Sequence, residues 1–209
     1  MGCMILIRHR CNTAAELATT PRHMGVEIDI RNHGDALLLV HDAFCDGGER
    51  LEDWLEGYAH AFLICNVKEE GLEERLLPVL AARGITAFFI LDESLPYIRR
   101  HALAGVAEFA LRVSEWESEQ TPLALARQLA LLGRRVDWVW LDCFDGAPLP
   151  ASVVQSLRGA GFKLCQVSPE LHHINQPDSW AGRIGAFRAG LAGQGWAPDM
   201  VCTKRPDLW

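Results

Sequence analysis

Within residues 7–42, two histidines, His9 and His41, end apolar runs, and between them stand the carboxylates Glu27 and Asp29. Glu27 and Asp29 stand two apart in the run GVEIDI. In a strand that spacing puts both on one face and Val26, Ile28 and Ile30 on the other. Carboxylates side by side in an apolar strand repel each other and are costly to bury, and a divalent cation is the usual remedy. Histidines act as general acid and general base near neutral pH. Arg10, Lys68 and Arg112 can neutralise phosphoryl oxygens. Carboxylates with an amide oxygen, such as that of Asn66, suit Mg²⁺ or Ca²⁺, which would act as a Lewis acid on a non-bridging oxygen. These residue types point to phosphate chemistry.

A hairpin must bring His41 back to the carboxylates. Asn32, His33, Gly34 and Asp35 suit a reversal. A turn centred on Gly34 and Asp35 places His41 opposite Ile28, give or take a residue or two. Beyond the hairpin, apolar runs of strand length alternate with helical patterns to the end of the chain. The strands are expected near residues 4–10, 26–31, 61–68, 86–92, 108–115, 136–142, 162–170 and 199–204, with the hairpin arm at 36–41. The helices between them include one that Gly84 closes and one that Thr121 caps with Pro122 in first place. Near-continuous apolar strands alternating with helices mean a parallel sheet. Eight such units predict a (β/α)8 TIM barrel in one small domain, residues 1–209. The alternative, an open doubly wound sheet, wants a glycine-rich turn after the first strand, and HRCNT has no glycine.

In such a barrel the site lies at the C-terminal ends of the strands. Those ends offer His9 and Arg10, then Glu27 and Asp29, Asn66 and Lys68, Asp92 and Glu93, Arg112 with Ser114 and Glu115, Asp142, Ser168 and Glu170, and finally Thr203 and Lys204. The strand starts carry little comparable charge. Glu69, Glu70, Glu73, Glu74 and Arg75 read as a solvated helix face, His172 and His173 as a solvated loop, and Trp138 and Trp140 as packing groups.

Composition narrows the partners. With 49% hydrophobic and 22% charged residues, the 209-residue chain has a globular balance and can bury a full core. A net charge of -7 argues against non-specific nucleic-acid binding. No run approaches the roughly 20 apolar residues of a membrane span, so stable membrane insertion is not expected. The apolar run in MGCMILIRHR is too short for a signal peptide, and Gly2 lacks the hydroxyl residue at position 6 that myristoylation wants. The 7 cysteines form no CxxC pair and read as reduced, mostly buried thiols of a cytoplasmic protein. Oligomeric state is not legible.

His9-Arg10, Glu27-x-Asp29 and His41-Asp42, in this order and spacing, resemble the glycerophosphodiester phosphodiesterase family and the wider phospholipase-C-like phosphodiesterases. The segments CNVKEEGLEERL, FILDESLP, RVSEWE, VWLDCF, QVSPELH and VCTKRPD extend the resemblance along the chain, as a divergent bacterial branch. The resemblance implies a (β/α)8 barrel with His9 and His41 as the acid/base pair. It implies a divalent cation, Mg or Ca, on Glu27, Asp29 and the third-strand position, here Asn66. Arg10, Lys68, Arg112 and Glu170 then stand as substrate-binding residues. The substrate would be a small phosphodiester: a lipid head group, a glycerophosphodiester and a polysaccharide-linked phosphodiester all fit. The chain departs from the pattern at Cys11, where the family has Gly, at Asn66, where it has an acid, and at Lys204, where it has Asp. Those departures keep open an impaired barrel that binds a phosphorylated ligand. A sugar-phosphate isomerase or aldolase would need a glycine-rich phosphate cup near strands seven and eight, and VSPE with CTKRP has none.

Overall fold

The computed structural model describes residues 4–45 and 47–209. Readings that concern Met1 to Cys3, the start of the chain and its Gly2 among them, lie outside the described residues. Eight parallel strands form the barrel: β1 (Ile5–Arg8), β2 (Gly25–His33), β5 (Leu63–Val67), β6 (Phe88–Leu91), β7 (Ala110–Val113), β8 (Trp138–Leu141), β9 (Lys163–Val167) and β10 (Met200–Thr203). Ladders run β6–β5–β2–β1–β10–β9–β8–β7. The circuit closes between β6 and β7 through one bridge, Ile90 to Phe109, and the Ile90 amide donating to the Glu108 carbonyl at 2.9 Å. The expected TIM barrel is therefore the fold.

Strand β2 runs on past the barrel rim and folds back as β3 (Ala36–Leu39), which pairs with the short β4 (Glu49–Arg50). His33 pairs with Ala36 and Ile30 with Leu39, so the turn is Gly34 and Asp35, Gly34 taking φ 57°. That register carried forward sets His41 against Ile28, as the turn residues require.

Alternation sorts each strand into two sets. Outward residues such as Val26, Ile28, Ile30, Cys65 and Val139 pack under the helices. Inward residues such as Ile7, Ile64, Phe89, Trp138, Trp140 and Met200 fill the barrel. Phe89 meets Phe62 at 5.7 Å and Trp138 at 5.4 Å between ring centroids. Gly25 has no side chain because a Cβ there would lie 2.3 Å from Ile7 Cδ1 and 2.9 Å from the Phe62 carbonyl oxygen. Phe89→Ala is expected to cost about 3–5 kcal/mol, since this ring is enclosed on all sides; chemical denaturation measures it, and a loss near zero would mean the interior can collapse around the gap.

Helices α1 (Ala14–Thr19), α2 (Leu51–Trp54), α3 (Glu73–Ala82), α4 (Leu95–Ala104), α5 (Gln120–Ala130), α6 (Ala151–Gly159) and α7 (Trp180–Gln194) join the strands. Thr13 and Glu16 close a reciprocal capping box on α1, directly behind His9 and Arg10. Gly84 takes φ 67° just past the end of α3. Three expectations are corrected. Helix α5 starts before Thr121, because Ser118 Oγ accepts from the Gln120 amide at 3.2 Å, and Pro122 is tolerated in the first turn, where its missing N–H costs nothing. Glu73 is fully enclosed rather than solvated, because the first turn of α3 leans on α4. His172 is drawn onto Asp142 at 3.2 Å and leaves the solvated loop.

Candidate active site

On β2 the inward positions are Gly25, Glu27 and Asp29; on β5 they are Ile64 and Asn66, and Lys68 follows two residues on, just past the strand's end. The apolar filling of the barrel thus gives way to polar groups at the C-terminal end. Glu27 and Asp29 are enclosed, at 1% and 0% exposure. Burial and the neighbouring Asp29 carboxylate push the Glu27 carboxyl up, against two donors. The Arg10 amide donates to Glu27 Oε2 at 2.7 Å and Asn66 Nδ2 to Oε1 at 3.0 Å. Burial alone would raise Asp29 too, but the Lys68 ammonium, 3.0 Å from Oδ1, and the Asn12 amide hold it below the usual carboxylate range. Asn12 grips Asp29 twice: its Nδ2 donates to Oδ2 at 2.8 Å, and its Oδ1 accepts from the Asp29 amide at 2.9 Å.

His9 Nε2 lies 3.9 Å from Glu27 Oε2, and the buried Nδ1 has no hydrogen-bond partner among the described residues. Burial and the Arg10 guanidinium push His9 down to about 3, with Lys204 and Lys68 adding to the effect and Asp29 opposing it. Its ring is neutral at neutral pH. Arg10 takes φ 53°, a strained conformation for a residue with a Cβ, which turns its amide onto Glu27. Its Nε stands 3.8 Å from Asp29 Oδ2. His41 is half-buried at the hairpin end; its Nδ1 pairs with Asp42 Oδ1 at 2.7 Å, and its carbonyl accepts from the Arg31 guanidinium.

From Asp29 the charges continue round the rim. Lys68 Nζ reaches Asp92 Oδ2 at 3.6 Å, Arg112 Nε donates to Asp92 Oδ1 at 2.7 Å, and Arg112 also pairs with Asp142, which meets His172. Asp92, like Arg10, is a non-glycine residue in the left-handed region, at φ 71°. Glu170 is brought to the same end but is fully enclosed. It accepts from Ser168, from Thr203 Oγ1 at 2.5 Å and from the Lys204 amide at 3.0 Å, so any influence on a ligand passes through Lys204. A cavity of about 570 Å³ opens beside His9, Arg10, Asn12 and Lys204, and one of about 510 Å³ beside Asp92 and Arg112. Sequence reasoning named the strand-end residues but missed Asn12, three residues past His9, and the tie of His172 to Asp142. Asn12 stands in a loop and shows no periodicity.

No protein-family model matches the sequence, and no curated protein is similar to it in sequence. Solved structures are similar in fold. A glycerophosphodiester phosphodiesterase from Agrobacterium tumefaciens matches with TM-score 0.67 and 15% identity, over 99% of this chain and 99% of that one. A glycerophosphoryl diester phosphodiesterase from Parabacteroides distasonis gives 0.65 and 16%, over 98% and 84%. One from Thermotoga maritima gives 0.65 and 14%, over 98% and 96%. The fold is that of the glycerophosphodiester phosphodiesterases. On this glycerophosphodiester phosphodiesterase fold, the loop after β1, the inward faces of β2 and β5 and the β2–β3 hairpin carry the residues singled out from the sequence.

Proposed function

We propose that this chain is a phosphodiester hydrolase acting on a glycerophosphodiester or a similarly small phosphodiester, with His9 and His41 as its acid/base pair. The observation that carries this reading is the enclosed Glu27–Asp29 pair, ringed by His9, Arg10, Asn66 and Lys68 at the mouth of a barrel with this fold. His9, whose buried Nδ1 has no partner among the described residues, is placed beside Glu27 to exchange a proton with the attacking or the departing oxygen. His41, steadied at Nδ1 by Asp42, has Nε2 left for the other transfer. Arg10, Lys68 and Arg112 would draw in and orient the phosphoryl oxygens. Where the substrate carries a hydroxyl beside the phosphodiester, as glycerol does, internal attack to a cyclic phosphate is favoured by proximity.

The donor set also fits a divalent cation. Asn66 Oδ1 is buried and accepts no hydrogen bond among the described residues, and half a turn of the amide sets it beside Glu27. The raised Glu27 carboxyl marks a place that gains from added positive charge. Glu27, Asp29 and Asn66 would hold Mg²⁺ or Ca²⁺, which supplies Lewis-acid polarisation of a phosphoryl oxygen when bound. If Asn66 is a ligand, Asn66→Asp adds a charge and tightens cation binding in a calorimetric titration. If it is only an amide donor to Glu27, the variant loses that donor, melts lower and gains no affinity.

A second reading, a barrel that binds a phosphorylated ligand without turnover, is favoured by one observation: Lys68 Nζ already neutralises Asp29 at 3.0 Å. Hydrolysis of an aryl phosphodiester by wild type, lost in His9→Ala, supports the enzyme; tight phosphate binding with no hydrolysis supports the binder.

A further inference from the structure

Outside the barrel, three segments converge on a second cluster that the reading above does not use. Glu73 opens α3, Glu93 follows β6, and His101 sits on α4. Their exposures are 0%, 8% and 7%. His101 Nε2 lies 2.9 Å from Glu73 Oε1 and 4.0 Å from Glu74 Oε1, and the ligand atoms of Glu73, Glu74 and His101 all fall within 4.8 Å of one another. Glu93 lies within hydrogen-bonding reach of Glu73. Glu73 Oε2 and both oxygens of Glu93 are buried with no hydrogen-bond donor among the described residues.

Three enclosed carboxylate oxygens without a donor are costly to bury. The groups facing them make the balance more negative. Glu70 adds to the field on Glu93, and Glu74 stands at the rim with Arg100 on its Oε1 at 2.9 Å. Among the described residues, Arg100 pairs with Glu74 and His101 meets Glu73. Such a cluster is satisfied by a shared proton or by a cation. The donor types decide which cation. An imidazole nitrogen with two or three carboxylate oxygens suits Zn²⁺ or a similar transition ion, whereas Mg²⁺ keeps to oxygen donors. An approach exists, because Glu93 and Asp92 line the cavity of about 510 Å³.

We propose that Glu73, Glu74 and His101, whose ligand atoms lie within 4.8 Å of one another, form a second metal site for Zn²⁺ or a like divalent transition ion, with the enclosed, undonated Glu93 carboxylate beside it. The ion ties the first turn of α3 to α4. Its role is structural, and it is independent of the phosphodiesterase reading, since no turnover is needed to observe it.

The test uses the full-length chain after exhaustive dialysis against chelator, titrated with Zn²⁺ by calorimetry and with Co²⁺ by visible absorption. Wild type is expected to take up Zn²⁺, to melt higher with it, and to give the intense bands of tetrahedral Co²⁺. Glu73→Gln, nearly isosteric, is expected to keep the fold and weaken Zn²⁺ at least tenfold, and His101→Ala to abolish the cobalt bands. Glu27→Gln is expected to leave the His101-dependent cobalt bands in place. The proposal is overturned if wild type binds no Zn²⁺, if Glu73→Gln binds it as tightly as wild type, or if the cobalt bands are lost in Glu27→Gln instead.

Discussion

Alanine at His9, or at His41, is expected to lower phosphodiester turnover by about 10²- to 10⁴-fold, the range for removing a placed proton-transfer group. The two side chains come from the end of β1 and from the β2–β3 hairpin, so neither loss disturbs a barrel ladder. His9 has a ring nitrogen with no partner among the described residues, and the His41 ring is held by Asp42 beyond the end of β3. The melting temperature of each variant should therefore stay close to that of wild type. Turnover and melting are measured on the same preparations. A variant that keeps near-wild-type turnover removes that histidine from the acid/base pair.

Lys68→Met is expected to cost about 3–5 kcal/mol in stability, because Asp29 stays buried while its ammonium partner is gone. Arg10 at 3.8 Å and the Asn12 amide remain, which places the cost toward the lower end. The sign with pH follows from the depressed Asp29. A carboxylate held below its unfolded pKa stabilises the fold above that unfolded value, and the contribution is lost as pH falls through the folded one. The gap between wild type and variant is thus full at neutral pH and closes in acid, once Asp29 is protonated in both. Mg²⁺ or Ca²⁺ should recover part of the loss, since the variant leaves Glu27 and Asp29 open to a cation. Thermal melts across pH, with and without cation, measure all three; equal melting at neutral pH, or a gap unchanged in acid, contradicts the pairing.

The legible part of this site is the part that periodicity carries. Glu27 and Asp29, like Asn66 and Lys68, are two apart in apolar runs, and strand geometry turns each pair inward together. The hairpin was legible because Gly34 and Asp35 set the turn, and the turn sets the register. What stayed hidden depends on distance in sequence or on backbone conformation. Asn12 clamps Asp29 from a loop seventeen residues away. The left-handed turns at Arg10 and Asp92 have no glycine to mark them. Glu73 reads as one more helix charge beside Glu74, and only the packing of α3 on α4 encloses it with His101. The near-open seam between β6 and β7 likewise shows only in space, because each strand is apolar enough to pair fully.

The central claim is that the mouth of this barrel cleaves a phosphodiester, and ³¹P NMR of a simple glycerophosphodiester incubated with the purified chain and Mg²⁺ or Ca²⁺ tests it most directly. Wild type is expected to convert the diester signal into a phosphomonoester, with a cyclic phosphate in passage where glycerol's hydroxyl attacks first, and His9→Ala to leave the diester signal standing. A folded wild-type protein that leaves the diester intact with either cation, or a His9→Ala variant that consumes it as fast as wild type, would contradict the account.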